Sequence, residues 1–282
     1  MALSAASSRC LGALLCCVHP SRAPLVTRSE HSRRVVVPRK IHAVLAQPKA
    51  RVIIIGDVHG CFDELLALLD ACDFNAHTDT VILVGDLVNK GPKSAEVVAA
   101  ARERGFFAVR GNHDDSSLFG RERRDAARAR GEALANDDKY SWTDQLSEAD
   151  LAFLRELPYT LALPTLGAMV VHAGLVPGVP LEAQELAAMY TMRNLIKSDG
   201  LGAVRATWSD KAKQGVPWAG EWPSDEPHVF FGHDVKRGLQ LYPHATGLDT
   251  GCCYGKSLSA MIVPERRLMQ VSAHAMYVTP DG

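Results

Sequence analysis

The sequence predicts an α/β protein in which two β-sheets pack on one another and helices cover them. Three observations predict it. Apolar, β-branched runs end three times in glycine followed by a carboxylate or an amide, helix-length amphipathic segments separate those runs, and the second half breaks into short apolar runs punctuated by Pro and Gly. Strand, helix, strand, helix, strand implies parallel pairing through right-handed crossovers, so the three loops that follow the strands converge on one sheet edge. A second sheet packed on the first buries the later runs.

Arg51 to Ile55 reads as a buried strand that spills into a loop carrying Gly56, Asp57, His59 and Gly60. Asp57 and His59 offer oxygen and nitrogen donors at a spacing compatible with one metal, although an N-capping Asp57 and a hydrogen-bonded loop His59 explain the same residues. The helix from Phe62 to Cys72 carries Leu65, Leu66, Leu68 and Leu69 on one stripe, and the helix from Ser94 to Arg104 carries Val97, Val98 and Ala101. Thr80 to Val84 is the second strand, followed by Gly85, Asp86, Asn89, Lys90 and Gly91; Phe106 to Val109 is the third, followed by Arg110, Gly111, Asn112, His113 and Asp114.

Between Leu118 and Tyr140 the residues Arg121, Arg123, Arg124, Arg128 and Arg130 alternate with acids and alanines, which suits a solvated helix or an insert beside the site mouth. Ser147 N-caps a helix to Glu156, and Pro158 stops it. Tyr159 to Leu163, Ala168 to Val171, His228 to Phe231, Leu239 to Tyr242, Ser257 to Val263 and Leu268 to Val271 are the expected later strands, with one helical segment from Leu181 to Leu195.

The chain has 282 residues, 47% hydrophobic and 22% charged, with a net charge of −1. This composition fits one large globular domain plus a tail, and its charge does not imply binding along a nucleic-acid duplex. Residues 1 to 48 are the expected leader and residues 49 to 282 the expected catalytic domain. The first 50 residues hold eight Arg and Lys against only Glu30. An Arg- and Ser-rich, acid-poor leader points to import into a mitochondrion or plastid; a cytoplasmic tail is the alternative. The apolar piece from Leu11 to Val18 is too short to span a bilayer as a helix, although its length also suits the core of a secretory signal; no membrane partner is expected. The seven cysteines follow neither zinc-finger nor disulfide spacing, which indicates free thiols in a reducing compartment. Cys61 is near enough to the first loop to be oxidation-sensitive, or it is a small buried hydrophobe.

Five blocks in order, Gly56 to Gly60, Gly85 to Gly91, Gly111 to His113, His172 to Gly174 and Gly232 to Asp234, resemble the motifs of the phosphoprotein-phosphatase type of binuclear metallophosphoesterase. The Asn89, Lys90, Gly91, Pro92 run and the Asn112, His113, Asp114 run resemble its ApaH-like branch, relatives of symmetrical diadenosine tetraphosphatase. The resemblance covers about residues 50 to 265. It implies a calcineurin-like fold, a four-layer α/β/β/α sandwich of sheets flanked by helices. It also implies two divalent ions, with Asp86 as the bridge, Asp57 and His59 completing one site, and Asn112, His172 and His233 the other. A carboxylate suits the bridging position because its charge offsets the repulsion between the ions, which on this resemblance would supply an activated water for attack on phosphorus. Mixed oxygen and nitrogen donors suit Mn²⁺, Fe, Co²⁺ or Zn²⁺.

The resemblance makes His113 the general acid. Where related phosphatases place an acid and an arginine in the second motif, this chain has Asn89 and Lys90. An amide orients His113 without charge, and a lysine is a point charge rather than a bidentate fork, so both departures favour phosphoanhydrides over phosphoserine esters. Arg193 is a candidate clamp on a terminal phosphate; Arg110 and Arg237 are substrate contacts or loop ion pairs. Tyr254, after the run Gly247 to Gly251, either stacks on a base or packs structurally. The expected activity is metal-dependent hydrolysis of dinucleoside polyphosphates, inorganic polyphosphate or capped RNA 5′ ends. A serine/threonine protein phosphatase is the alternative on the same site, and a non-catalytic metal scaffold the reading from another class.

Overall fold

The computed structural model describes residues 26–28, 34–36, 38–134, 139–197 and 207–280, and its centre is the strand Arg51–Ile55. An unbroken β-branched run requires burial on both faces. Ile53 and Ile55 join an apolar cluster with the helices, whereas Val52 and Ile54 join a cluster with the second sheet. Asp79–Leu83 pairs parallel to Arg51–Ile55, and Phe107–Ala108 parallel to Asp79–Leu83. The helices Phe62–Ala71 and Ser94–Glu103 bury Leu65, Leu68, Val97 and Val98 in the cluster of Val81 and Leu83. Full burial of each such side chain contributes about 1.5–3 kcal/mol. The three loops after these strands leave one sheet edge, as the sequence predicts.

Ser257–Val263 pairs antiparallel with Arg51–Ile55, and Arg267–Ser272 pairs with Ser257–Val263. These two strands, expected in the second sheet, complete a five-stranded first sheet instead. The alternation explains it: Leu258, Ala260 and Ile262 face the helix-side cluster, and Met261 and Val263 face the other sheet. The second sheet has six strands, in the order Gln240–Leu241, Ala245–Gly247, His228–Phe231, Ala168–Val171, Thr160–Leu163 and His42–Val44. Ala168–Val171, His228–Phe231 and Ala245–Gly247 run parallel, so their ends also converge on one edge. Leu161, Leu163, Val170 and Phe230 meet the first sheet; Val171, Val229 and Phe231 face outward to Met189, Trp218 and Trp222. The four layers are those expected.

The outer layer corrects one helix. Instead of a helix from Leu181 to Leu195 there is a short 3-10 turn at Leu181–Ala183, the six-residue helix Leu186–Thr191, and the strand Asn194–Ile196, which pairs with Thr207–Ser209 and Val216–Pro217. Thr191 and Asn194 are poor helix formers, and stopping at Thr191 leaves its carbonyl unpaired by the helix. The third loop is likewise the start of the 18-residue helix Asn112–Ala129. Its arginines are not a uniformly solvated face. Arg124 is 6% exposed and pairs with Asp144, Arg128 also pairs with Asp144, and Arg121 Nη1 donates to the Thr143 carbonyl at 2.8 Å. Ser147 does cap the helix Glu148–Glu156, accepting from the Asp150 N–H.

Val26–Arg28 and Arg34–Val36 pair as an antiparallel ribbon, and His42–Val44 is an edge strand of the second sheet. That edge strand lies before residue 49, inside the expected leader. Cys10, Cys16, Cys17 and the apolar piece from Leu11 to Val18 lie outside the described residues. Cys61, Cys72, Cys252 and Cys253 are buried free thiols. Among the described residues, no helix is long and apolar enough to cross a membrane.

Candidate active site

Asp57, Asp86 and the helix start at Asn112 follow the three parallel strands of the first sheet; His172 and His233 follow two parallel strands of the second. The two sheet edges meet there. Gly232 N–H donates to the His172 carbonyl at 2.8 Å, and the His233 N–H donates to both Asp57 oxygens at 3.2 and 3.1 Å. The approach is so close that a Cβ on Gly232 would lie 1.9 Å from Asp57 Oδ1, and one on Gly111 2.1 Å from Asp86 Oδ1. Seven described non-glycine residues have positive φ, and five of them, His59, Asp86, Asn89, Lys90 and His233, are in this site. Strain concentrated in this way marks a site whose loops are held by their surroundings.

Asp86 Oδ2 lies 3.4 Å from His59 Nε2, and Asp86 Oδ1 lies 3.4 Å from His172 Nε2. One carboxylate thus faces two half-sites. Each imidazole is fixed by a backbone carbonyl, which can only accept: His59 Nδ1–H donates to Val88 at 3.1 Å, His172 Nδ1–H to Val84 at 2.9 Å and His233 Nε2–H to Thr191 at 3.0 Å. The other ring nitrogens are therefore bare and face inward. Asn112 Oδ1 lies 3.1 Å from His172 Nε2 and 3.0 Å from His233 Nδ1. Carbonyl-anchored imidazoles grouped with split carboxylates fit a pair of divalent ions. Ligand atoms of Asp57, Asp86 and His172 lie within 4.8 Å of one another, as do those of His59, Asp86 and His113.

The electrostatics agree. Burial pushes Asp86 up, but His172, His113, His59 and Lys90 together hold it well below the usual carboxylate range. Burial, then Asp249 and Asp86, raise Asp57, and burial depresses His59, His172 and His233, so the imidazoles are neutral donors.

A model of the calcineurin-like phosphoesterase family matches residues 50–254. The chain belongs to this family. It is similar to the symmetrical bis(5′-nucleosyl)-tetraphosphatase of Psychromonas ingrahamii, 34% identical over an alignment that covers 80% of this chain and 98% of the relative. It is also similar to the enzyme of that name from Aromatoleum aromaticum, 28% identical over an alignment that covers 78% of this chain and 96% of that one. A solved structure provisionally described as a diadenosine tetraphosphatase superposes with a TM-score of 0.69 at 36% identity, covering 83% of this chain and 98% of that one. A protein serine/threonine phosphatase from Saccharomyces cerevisiae, 17% identical with a TM-score of 0.51 over 87% and 86% of the chains, shares the fold.

In this metallophosphoesterase the expected ligands all meet in one place, and so do His113 and Asn89. Asn89 is set by a residue the sequence reading missed. Trp142 Nε1–H donates to Asn89 Oδ1 at 3.2 Å, which turns Asn89 Nδ2 toward His113 Nδ1 at 3.3 Å. An amide that donates to Nδ1 leaves the proton of a neutral imidazole on Nε2. Burial pulls His113 down to about 4.

A cleft of about 370 Å³ opens over these groups, lined by Lys90, Arg193, Tyr254 and also Lys236, Lys256 and Asp249. Lys90 Nζ lies 2.9 Å from His59 Nε2 and 5.1 Å over the Tyr254 ring. Arg193 faces the cleft while donating to the Asp210 and His233 carbonyls. Arg110 is corrected: it is fully buried away from the cleft, paired with Asp115 at 3.0 Å and stacked on Tyr159. A cation between two apolar strands and an acidic helix start finds its partner inside the fold. Arg237 likewise pairs with Asp234 and donates to Asn194 Oδ1. Asp249, pushed up by burial to about 6, and Asp114 were not assigned roles from the sequence. Asp114 accepts the N–H groups of Asp86, Leu87 and Gly111, each at 2.9 Å, and so shapes the bridge loop. Its position three residues into a helix that opens with glycine was the available signal.

Proposed function

We propose that the protein hydrolyses phosphoanhydride bonds in dinucleoside polyphosphates, with diadenosine tetraphosphate cut symmetrically to two nucleoside diphosphates. The carrying observation is the charge layout of the cleft. Three buried carboxylates, Asp57, Asp86 and Asp249, form the floor, and Lys90, Arg193, Lys236 and Lys256 line the walls. Four cations around a bed that also suits two ions match a chain of phosphates better than a single one. Relatives named symmetrical bis(5′-nucleosyl)-tetraphosphatase support the same substrate.

The ions, when bound, supply activation of water and neutralisation of phosphoryl oxygens; Mn²⁺, Fe, Co²⁺ and Zn²⁺ suit the donors. Asp86, Asp57, His59, Asn112, His172 and His233 would hold them. His113 presents Nε2–H to the leaving oxygen, and a neutral imidazole suffices because a nucleoside diphosphate leaves with little protonation. Lys90 and Arg193 offset charge on the phosphates, and Tyr254 offers a face to a base. The metal-loaded chain, assayed on diadenosine tetraphosphate, long-chain polyphosphate, capped RNA and a phosphopeptide, turns over the dinucleotide fastest and releases ADP. Fastest turnover of the phosphopeptide would replace this reading with the protein-phosphatase one.

We also propose that the basic leader directs import into an organelle. A tagged chain lacking residues 1–37 loses an organellar distribution that the full chain has; identical distributions of the two end the idea.

A further inference from the structure

Behind the catalytic loops, on the helix-covered side of the first sheet, two thiols and a carboxylate converge. Cys61 follows the His59 loop, Cys252 follows the Asp249 loop, and Glu64 stands in the first turn of the helix Phe62–Ala71. Ligand atoms of all three lie within 4.8 Å of one another, and none of the residues is more than 1% exposed. The Cys61 thiol donates a long hydrogen bond to the His59 carbonyl, at 3.9 Å.

Glu64 is an unusual residue for such a place. Its Oε1 accepts the His274 N–H at 2.9 Å and the Tyr277 hydroxyl at 2.8 Å, while its Oε2 is buried with no hydrogen-bond partner. A fold rarely leaves a buried carboxylate oxygen unmatched. A carboxylate with one oxygen held by two donors, the other without a partner, and two sulfurs within 4.8 Å of its ligand atom is fixed in place as metal-binding carboxylates are.

We propose that Cys61, Glu64 and Cys252 form a binding site for one thiophilic divalent cation of the zinc class, separate from the catalytic pair. Two sulfurs and one oxygen suit Zn²⁺, Co²⁺ or Cd²⁺ rather than Mg²⁺ or Ca²⁺. Zn–S bonds of about 2.3 Å place donors somewhat closer than the present limit, a distance that small side-chain rotations cover. Binding one cation displaces two thiol protons to solvent, and the carboxylate supplies the third donor. The bound ion would tie together the loop bearing His59, the loop bearing Asp249 and the C-terminal segment that touches Glu64.

The test uses Co²⁺ alone, titrated into the metal-stripped full-length chain. Thiolate ligands give a thiolate-to-cobalt charge-transfer band, and the catalytic donors, which include no sulfur, give none. The proposal expects this band in the wild type and equally in Asp86→Asn, and its displacement by Zn²⁺. Cys61→Ser abolishes the band; Glu64→Gln, which keeps the volume and a hydrogen-bond acceptor, weakens cobalt affinity at least tenfold; Cys72→Ser leaves both unchanged. Absence of the band in the wild type, its survival in a folded Cys61→Ser, Cys252→Ser double variant, or undiminished affinity in Glu64→Gln would overturn the site. Asp86→Asn separates the outcomes: a band lost there would belong to the catalytic centre.

Discussion

Trp142 Nε1 can only donate, so its 3.2 Å contact with Asn89 Oδ1 decides which end of the amide meets His113. Replacing Trp142 by Phe frees Asn89 to rotate, and His113 then loses its fixed tautomer while the metal ligands stay in place. Turnover of a phenyl phosphate ester, whose leaving group needs the proton, falls by about tenfold, and turnover of diadenosine tetraphosphate falls less. Parallel losses on both substrates would show that the Trp142–Asn89 contact is only structural. At Gly111 the constraint is steric. Gly111→Ala sets a methyl 2.1 Å from Asp86 Oδ1, so metal affinity drops while Gly105→Ala, with nothing within 4 Å, leaves it unchanged. Equal metal affinity of the two variants would contradict the packing assigned to the bridge loop.

The helix Asn112–Ala129 links that histidine to the rest of the fold. Its first turn carries Asn112 and His113, and its later turns grip, through Arg121, Arg124 and Arg128, the 3-10 turn Ser141–Gln145 that holds Trp142. Arg124→Met breaks a pair whose Asp144 partner is one-third exposed, so the cost is about 2 kcal/mol, below the 3–5 kcal/mol of a fully buried pair. Denaturant unfolding measures it, and a change under about 0.5 kcal/mol would show the arginine to be a surface charge. The loops that carry Asp57, His59 and Asp86 stood out in the sequence because strand-end glycine, carboxylate and imidazole patterns are local, whereas the set that joins them to Asn112, His172 and His233 came from the resemblance to the family. The arginine run was not legible in this way. Its partner Asp144 belongs to a different element, and the same charge alternation describes a solvated helix. For Arg110 the ion-pair alternative is the one the structure shows, with Asp115, while its other partner Tyr159 lies on a different element. The second sheet's edge strand His42–Val44 is short and half-buried, too weak a pattern to stand out from a basic leader. Deleting residues 1–48 therefore lowers the melting temperature below that of a chain deleted to residue 37. Equal melting temperatures would mean that this edge strand adds nothing.

Across the whole molecule, two sheets lend their parallel-strand edges to one centre, and histidines inside and outside that centre make stability depend on pH. Burial pulls His113 and His228 down to about 4, whereas an unfolded histidine titrates near 6.5. Between those values the unfolded chain binds protons that the folded chain refuses, so stability falls as pH drops from about 6.5 to about 4. Asp57 and Asp249, raised by burial, act with the opposite sign over part of this range, so substitution isolates the histidine share: His228→Asn loses less melting temperature between pH 7 and pH 5 than the wild type, and an equal loss would contradict a neutral folded His228. Asp86, with one oxygen toward each half-site, is the residue on which the centre turns. The most direct test is the metal content of purified wild type and Asp86→Asn, measured on the same samples as diadenosine tetraphosphate turnover. Asp86→Asn should stay folded, hold fewer than the two ions of the wild type, and lose turnover by more than about 100-fold. An Asp86→Asn protein that kept two ions and wild-type turnover would contradict a centre bridged by Asp86.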